Sequence, residues 1–215
     1  FLKGKTALIT GSTSGIGLGY ARALAAEGAS VMINGFGDAA EIQGYVEELI
    51  RTSNAGALHS GADMTKPEEI RAMVADCTAK LGAPDILINN AGIASVGPMV
   101  DTTMEEWRKV IEIDLLGVVR GCRLFLPAML AGRSGQIINT ASFAGLAGAP
   151  GMMTYGVAKA AVVALSEQLR VETHHHGVRV SVICPAFFRT NLLETAIASD
   201  KIKAKVLNLM DTSPD

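Results

Sequence analysis

The stretch from residue 6 to residue 28 constrains the fold more than any other part of this chain. It begins with an apolar run, Thr6-Ala-Leu-Ile-Thr10, of the kind that forms a buried parallel strand. The run leads directly into a glycine-rich turn, and a helix with one apolar face follows and stops near Gly28. Glycines let the backbone approach a pyrophosphate, and the N-terminus of the next helix offers free N–H groups. The stretch therefore predicts a dinucleotide-binding α/β fold, with a cofactor site that includes Gly11, Thr13, Gly15, Ile16 and Gly17.

Composition limits the classes of protein to which the chain can belong. A chain of 215 residues that is 49% hydrophobic is long enough for one sizeable α/β domain and short for two. A net charge of -2 gives no basic surface for nucleic acid or for an anionic membrane. The three cysteines lack metal-ligand spacing, and no signal peptide or long uninterrupted apolar run is visible. We therefore expect one domain over 1–215 in a cytoplasmic protein, with no metal, nucleic-acid or membrane partner.

The second predicted strand, Ser30-Val-Met-Ile-Asn34, ends in Gly35-Phe36-Gly37-Asp38. In dinucleotide-binding folds this strand end meets the adenosine ribose, where an acid favours NAD and basic residues accommodate the 2′-phosphate of NADP. No basic residue occurs here, so NAD is favoured over NADP, and Phe36 is expected beside the adenosine. Asp38 has two interpretations that the sequence leaves open, a ribose contact or a helix N-cap.

Two later segments place reactive side chains next to strand ends. Asn89-Asn90-Ala91-Gly92 follows a predicted strand, at the edge where open parallel sheets bind ligands. Ser142 follows the strand-like run 136–141, and Tyr155 and Lys159 lie four residues apart at the start of a long predicted helix. That spacing puts both side chains on one helix face, where the lysine cation favours the phenolate form of the tyrosine. Tyr155 is thus a candidate general acid/base near neutral pH.

Together, the Gly-x-x-x-Gly-x-Gly turn, Asn-Asn-Ala-Gly, the serine and Tyr-x-x-x-Lys resemble the short-chain dehydrogenase/reductase family over essentially the whole chain. The resemblance implies one doubly wound Rossmann domain that binds NAD and oxidises or reduces an alcohol or ketone carbon. It implies that Tyr155 is the acid/base, that Ser142 orients the reacting oxygen and that Lys159 holds the nicotinamide ribose. Tyr155 and Lys159 therefore also belong to the predicted cofactor site, together with Asp63 at the adenine edge, Asn90, Gly92, Pro185 and Thr190.

Asp114 departs from the family pattern, which usually has asparagine at this position. It falls on the apolar stripe of a helix predicted from Met104 to Ala131, where a carboxylate is costly unless it is paired. In the family this asparagine holds a water that links the lysine to solvent, as part of a proton relay. Two interpretations stay open. Asp114 keeps the backbone role of the asparagine and pairs with Lys159, or it weakens that relay. Ala186 is a second departure, since the family usually has glycine after this proline.

The first ninety or so residues resemble one subgroup more closely, the bacterial NAD-dependent dehydrogenases of a small 3-hydroxy acid. Those enzymes hold the substrate carboxylate with polar and basic side chains, and a carboxylate needs such partners. An uncharged secondary alcohol or ketone fits better here, because the substrate positions beside Ser142 are Ala94, Ala144, Met152 and Phe187. Two alternatives remain: a hydroxy-acid dehydrogenase anchored by Arg189 or Lys201, and a non-catalytic dinucleotide-binding protein.

The two longest predicted helices, 104–131 and 155–173, carry apolar residues on more than one face. In the family these helices pair between subunits, so we expect a homodimer or a homotetramer. Capping boxes of Thr65 with Glu68 and of Thr103 with Glu106 predict two helix starts.

The C-terminal part of the chain gives three further expectations. The segment 187–210 is expected to form a lid over the substrate. The run His174-His175-His176 predicts a polar loop rather than a metal site, because adjacent histidines do not share one helical face. The chain stops without the last helix and strand that the family supplies, so its C-terminal end is expected to be truncated.

Overall fold

A computed structural model of the chain describes residues 1–186 and Ile197. Six parallel strands form one sheet in the order β3-β2-β1-β4-β5-β6, which confirms the predicted doubly wound Rossmann fold. The strands are β1 Thr6–Ile9, β2 Ser30–Asn34, β3 Ala57–Ser60, β4 Ile86–Asn89, β5 Gly135–Thr140 and β6 Val178–Ile183. Phe187, Arg189, Thr190 and Lys201 lie outside the described residues, as does the predicted lid 187–210 apart from Ile197.

Helices cover both faces of the sheet. On one face α1 and α2 pack against Ala7, Ile9, Val31 and Ile33, and on the other α3, α5 and α6 pack against Leu8, Met32, Leu87 and Ile137. The central strands are apolar throughout because both of their faces are buried. The helices are α1 Gly15–Ala26, α2 Ala39–Ser53, α3 Pro67–Leu81, α4 Met104–Val110, α5 Gly117–Gly132 and α6 Met153–Thr173.

The order in which successive strands are added to the sheet changes direction between β1 and β4. The strands that follow β1 along the chain lie to one side of it, whereas β4, β5 and β6 continue on the other side. Parallel sheets bind ligands in the crevice that opens at such a reversal, outside the carboxyl ends of the strands. The glycine turn after β1 and the Asn-Asn-Ala-Gly segment after β4 both lie at this crevice.

The helix predicted from Met104 to Ala131 is confirmed as a continuous helical stretch, Met104–Gly132, but within it α4 and α5 are joined by a π-helical turn over Ile111–Leu116. We call this segment the π-turn. The buried residues Val110 in α4, Asp114 in the π-turn and Val118 in α5 are spaced four apart. In an α-helix, a residue and the one four positions later differ in direction by about 40° around the helix axis. The wider π-helical turn reduces this difference. The π-turn therefore keeps Asp114 on the buried side of the helix.

The two predicted capping boxes differ in outcome. The capping box predicted for Thr103 and Glu106 is confirmed. The Thr103 Oγ1 accepts from the Glu106 N–H, and the Glu106 carboxylate accepts from the Thr103 N–H. Thr65 is wrong as a cap, because α3 begins at Pro67 and Thr65 lies outside it. The Thr65 hydroxyl instead donates to Asp63 Oδ1 at 2.8 Å, since a carboxylate two residues earlier competes for it.

Candidate active site

The glycine turn after β1 is built for close approach of backbone to backbone. Gly11 has a φ of +60°, and a Cβ there would lie 2.6 Å from Ala91 Cα. A Cβ on Gly17 would lie 2.2 Å from the Gly11 carbonyl oxygen, so side chains are excluded at both positions. Ser14, the N-cap of α1, makes no side-chain capping bond, which leaves the first N–H groups of α1 available to an anion.

Asn90 connects the two loops of the crevice. Its side-chain amide donates to the carbonyls of Thr10 at 3.1 Å and of Gly11 at 2.8 Å. The Thr10 hydroxyl in turn accepts from the backbone N–H groups of Asn90 and Ala91. In this structure Asn90, predicted as a cofactor contact, fixes the shape of the glycine turn.

The loop after β2 is held by Thr13 and capped by Asp38. The Thr13 hydroxyl donates to the Phe36 carbonyl at 2.8 Å, while the Phe36 side chain is 72% exposed at the crevice edge. Asp38 accepts from the N–H groups of Ala40 and Glu41 at 2.9 and 3.0 Å. Of the two interpretations of Asp38, the structure shows the helix N-cap.

Asp63 lies shortly after β3, on the side of the crevice assigned to adenine. Its Oδ1 accepts from both the N–H and the hydroxyl of Thr65 at 2.8 Å. These hydrogen bonds hold the pKa of the Asp63 carboxyl below its ordinary value, because they favour the charged form. Asp63 is therefore an ionised acceptor at the position where an adenine amino group is expected.

Tyr155 and Lys159 lie one turn apart on α6, as their spacing predicts, and both are buried at 6% and 3% exposure. The Lys159 Nζ lies 5.6 Å from the centroid of the Tyr155 ring. It donates to the carbonyl of Thr140, the last residue of β5, at 3.1 Å. The sequence gives no sign of this partner, because any residue type provides a backbone carbonyl.

Asp114 lies against the same lysine and is fully buried. Its Oδ2 is 3.3 Å from Lys159 Nζ, and its Oδ1 accepts from the Ile93 N–H at 2.9 Å. The first of the two interpretations thus describes the structure, with a backbone contact and an ion pair together. Burial raises the pKa of Asp114 above its ordinary value, although Lys159 and the Ile93 N–H oppose that shift.

Ser142 begins a short 3₁₀ turn, Phe143–Gly145, between β5 and α6. Its Oγ accepts from the Ala144 N–H at 3.2 Å. The turn is pressed against α6, since a Cβ on Gly145 would lie 2.6 Å from the Lys159 carbonyl carbon. The turn that Ser142 begins is thus held directly against the part of α6 that contains Lys159.

Of the predicted substrate positions Ala94, Ala144, Met152 and Phe187, the structure describes the first three. Ala94 is fully buried, and its carbonyl accepts from the Ile197 N–H at 2.9 Å, so one residue of the predicted lid lies beside it. Met152 pairs with Gly97, and both Met152 and Ala144 are partly exposed. Pro185 contributes a backbone contact, because its carbonyl accepts from the Phe143 N–H at 2.8 Å.

Metal-ligating side chains do not cluster within residues 1–186. No group of three or more His, Cys, Asp or Glu side chains suited to a metal occurs in that part of the chain. The run His174–His176 forms a 3₁₀ turn at the surface, where a loop was predicted. Burial raises the pKa of the Cys77 and Cys122 thiols to about 11, which disfavours the thiolate that metal binding requires.

The apolar helical stretch Met104–Gly132 is long and apolar enough to cross a membrane by length and composition alone. It includes the buried ion-paired Asp114, and α5 packs on the sheet through Val118, Cys122 and Phe125. In this chain the stretch is a layer of the Rossmann domain.

Comparison with known proteins identifies the family. The sequence model of the protein family described as short chain dehydrogenase matches residues 5–201. The chain belongs to the short-chain dehydrogenase family. It is an oxidoreductase, and the site described above lies where the fold binds its ligands.

Individual relatives of this short-chain dehydrogenase agree with the expected subgroup. The chain is 42% identical to the D-beta-hydroxybutyrate dehydrogenase of Rhizobium meliloti over 193 residues, 90% of this chain and 75% of the relative. It is 41% identical to the Cupriavidus necator protein of the same name over 196 residues, 91% of this chain and 75% of that protein. Alignments of this length extend well beyond the first ninety residues and include Tyr155 and Lys159.

A solved structure supports the fold. The short-chain dehydrogenase/reductase of Burkholderia phymatum, determined in complex with NAD, superposes with a TM-score of 0.89 at 27% identity. The superposition covers 100% of this chain and 82% of that one.

Proposed function

We propose that this chain is an NAD-dependent oxidoreductase that interconverts a secondary alcohol and a ketone. The proposal is supported mainly by one observation. Lys159 is held below the Tyr155 ring by the Thr140 carbonyl, and the Ser142 turn packs against the same turn of α6. A tyrosine, a fixed buried cation and a serine at the ligand crevice are the groups that proton transfer to a carbonyl oxygen requires.

The described residues fit NAD. The side-chain-free turn and the uncapped N-terminus of α1 fit a pyrophosphate, as argued above from Gly11 and Gly17. The segment 35–38 contains no lysine or arginine, and Asp38 is its charged residue. An NADP 2′-phosphate would meet a negative rather than a positive charge there, which favours NAD. The NAD complex of the Burkholderia phymatum relative agrees with this choice.

Each residue of the site then has a defined role. Bound NAD supplies the acceptor for the two electrons and the hydrogen that leave the alcohol carbon. Tyr155 accepts the hydroxyl proton of the alcohol in that direction and returns a proton to the carbonyl oxygen in the other. Ser142 donates a hydrogen bond to the same oxygen, and Lys159 stabilises the phenolate and holds the nicotinamide ribose. Asp114 accepts from Ile93 and partly offsets the lysine charge.

An uncharged substrate fits the described pocket better than a carboxylate does. Ala94, Ala144 and Met152 offer no charged partner, and the two charged side chains at the site, Lys159 and Asp114, are buried and paired with each other. A second candidate is D-3-hydroxybutyrate, favoured by the two relatives of that name at 42% and 41% identity. Its carboxylate would need an anchor such as Arg189 or Lys201, which lie outside the described residues.

Three further parts of the proposal rest on family resemblance. In this proposal the substrate lid is the segment 187–210, which lies outside the described residues apart from Ile197, and Phe187 is one of the substrate residues. Thr190 binds the cofactor at the nicotinamide end. The enzyme works in the cytoplasm on a small molecule.

The test is NAD⁺ reduction with a panel that runs from D-3-hydroxybutyrate to bulkier uncharged secondary alcohols. We expect turnover on uncharged alcohols and a loss of about a hundredfold or more in Tyr155→Phe, since general acid/base catalysis contributes roughly that much. Turnover on the hydroxy acid alone would support the second candidate. Binding of NADH without turnover on any alcohol, together with no effect of Tyr155→Phe, would replace the proposal by a non-catalytic binding protein.

A further inference from the structure

We propose that Arg120 is a positioning residue that fixes the π-turn and the loop after β3 relative to each other, and thereby holds Asp114 against Lys159. The inference rests on the proposed function, because it concerns the geometry of the proposed proton-transfer site. It assigns a role to a side chain on the second half of the interrupted helix, outside the residues that face cofactor or substrate.

Arg120 lies in the first turn of α5 and reaches back over the π-turn. Its Nη1 donates to the Glu112 carbonyl at 3.3 Å, and its Nη2 contacts the Glu112 carboxylate. The Glu112 carbonyl also accepts from the Gly117 N–H, which is the five-residue bond that closes the wide turn. One guanidinium therefore binds both the backbone and the side chain of the residue at which the turn closes.

The same guanidinium also binds the loop between β3 and α3. Arg120 Nη1 donates to the Met64 carbonyl at 3.3 Å, across 56 residues of chain. Met64 is buried and follows Asp63, the residue assigned to the adenine edge. The planar fork of arginine binds several acceptors in fixed directions, which the lysine ammonium does not do. Arg120 thus links the loop with Asp63 to the turn with Asp114.

The π-turn needs such support because it competes with an ordinary helix. Regular α-helical hydrogen bonding through 111–116 would rotate Asp114 relative to α4 and change its position relative to Lys159. Charge-assisted bonds from Arg120 to Glu112 favour the wide turn over that alternative. The contact to Met64 gives the turn a fixed place on the domain.

The chain offers a matched control for an arginine–glutamate pair. Arg22 on α1 binds Glu48 on α2 through two hydrogen bonds of 2.8 and 2.9 Å. This pair is also partly exposed, but it lies on the other face of the sheet from α5 and α6. Arg22→Met therefore removes a comparable ion pair without touching the π-turn.

The first experiment measures amide hydrogen exchange in the protein without cofactor. We expect Arg120→Met to increase exchange in peptides over 111–116 and over 61–66 together, by about tenfold or more. Arg22→Met should leave both segments unchanged. Unchanged exchange in Arg120→Met would overturn the proposal. If Arg120→Met does not fold, Glu112→Gln decides instead, since it keeps the backbone contact and removes the carboxylate.

The second experiment is a double-mutant cycle in kcat. We expect Arg120→Met to lower kcat about tenfold in the parent protein, because a small misplacement of catalytic groups has effects of that order or larger. In the Asp114→Ala background the same substitution should lower kcat by less than about twofold, because the carboxylate that Arg120 positions is then absent. Equal losses in both backgrounds would mean that Arg120 acts on stability alone, and would overturn the proposal. Arg22→Met should have no effect on kcat in either background.

The two experiments separate this proposal from the proposed function. If the parent protein turns over no alcohol, the proposed function fails, while hydrogen exchange still tests the link between Arg120 and the π-turn. If the parent is active and both Arg120 measurements match the parent, the proposed function stands and the positioning role fails.

Discussion

At the scale of single residues, the site depends on a carboxylate that the protein buries at a cost. Asp114 is fully buried and Lys159 nearly so, and removing two such charges from water costs several kcal/mol each in real proteins by general estimates. The charges come close because Gly92 lacks a side chain. A Cβ there would lie 2.9 Å from Asp114 Oδ2 and 3.2 Å from Lys159 Nζ.

The raised pKa of Asp114 makes stability depend on pH in a defined direction. Between the ordinary carboxyl value and the raised value, the folded protein binds this proton more tightly than the unfolded chain does. The contribution of Asp114 to stability is therefore present at low pH and is lost as pH rises through that window. Asp114→Asn removes this loss. The difference in Tm, variant minus parent, should thus increase as pH rises from about 4, the ordinary pKa of an aspartate carboxyl, through the range in which the folded protein loses this proton.

Asp76→Asn is the control for that measurement, because the Asp76 side chain is partly exposed and pairs with Lys80 at the surface. The Tm difference for Asp76→Asn measures the effect of removing one surface carboxylate and is subtracted at each pH. A Tm difference for Asp114→Asn that stays constant or shrinks over the range would show that the buried carboxyl does not hold its proton more tightly in the folded state.

At the scale of elements, the connection between β5 and α6 sets the catalytic geometry. The Phe143–Gly145 turn contacts the helix backbone so closely that a Cβ on Gly145 would lie 2.7 Å from the Ala160 nitrogen. Gly145→Ala must push the turn away from α6, and overpacking of this kind costs about 1–3 kcal/mol. We expect a lower Tm together with a fall in kcat, since Ser142 would move relative to Tyr155.

Gly148→Ala is the matched control, because it lies in the same connection with nothing within 4 Å of its added Cβ. It should leave Tm and kcat close to the parent values. Full activity in Gly145→Ala, measured by steady-state NAD⁺ reduction, would mean that the spacing between turn and helix does not control the reaction.

The same scale shows how far local sequence predicts structure. The strand Ser30–Asn34 has the predicted bounds, because an apolar run is a local signal. The helix Ala39–Ser53 begins directly after Asp38, as the N-cap interpretation of that residue implies, because a cap is a local signal too. The π-turn has no such signal, since Arg120 and Met64, which meet over it, are 56 residues apart in the chain.

The site follows the same division. The four-residue spacing of Tyr155 and Lys159 predicts that they share a helix face, and the buried stripe predicts that Asp114 has a partner. The Thr140 carbonyl and the Ile93 N–H were not predictable, because backbone groups become partners only once β5 and the loop after β4 have been placed.

At the scale of the whole molecule, the layer of α5 and α6 is apolar on its outer side as well as its inner side. Only 28% of the most apolar stretch within Met104–Gly132 is buried in the single chain. On α6, Val157 and Val171 are exposed at 47% and 72%. Apolar surface of this extent on one layer is typical of a protein–protein interface. A second copy of the chain, bound through the same layer, would cover it symmetrically.

We therefore predict that the protein is a homodimer or homotetramer in solution, with α6 in the interface. Light scattering coupled to size exclusion should give a multiple of the 22.4 kDa chain mass. Val171→Glu should shift the protein toward the monomer, because an unpaired charge buried in an interface is strongly unfavourable. Ile50→Glu is the control, since Ile50 is an aliphatic residue exposed at 43% on α2, in the opposite layer. A monomeric parent protein would contradict the prediction, and equal effects of the two substitutions would place the interface elsewhere.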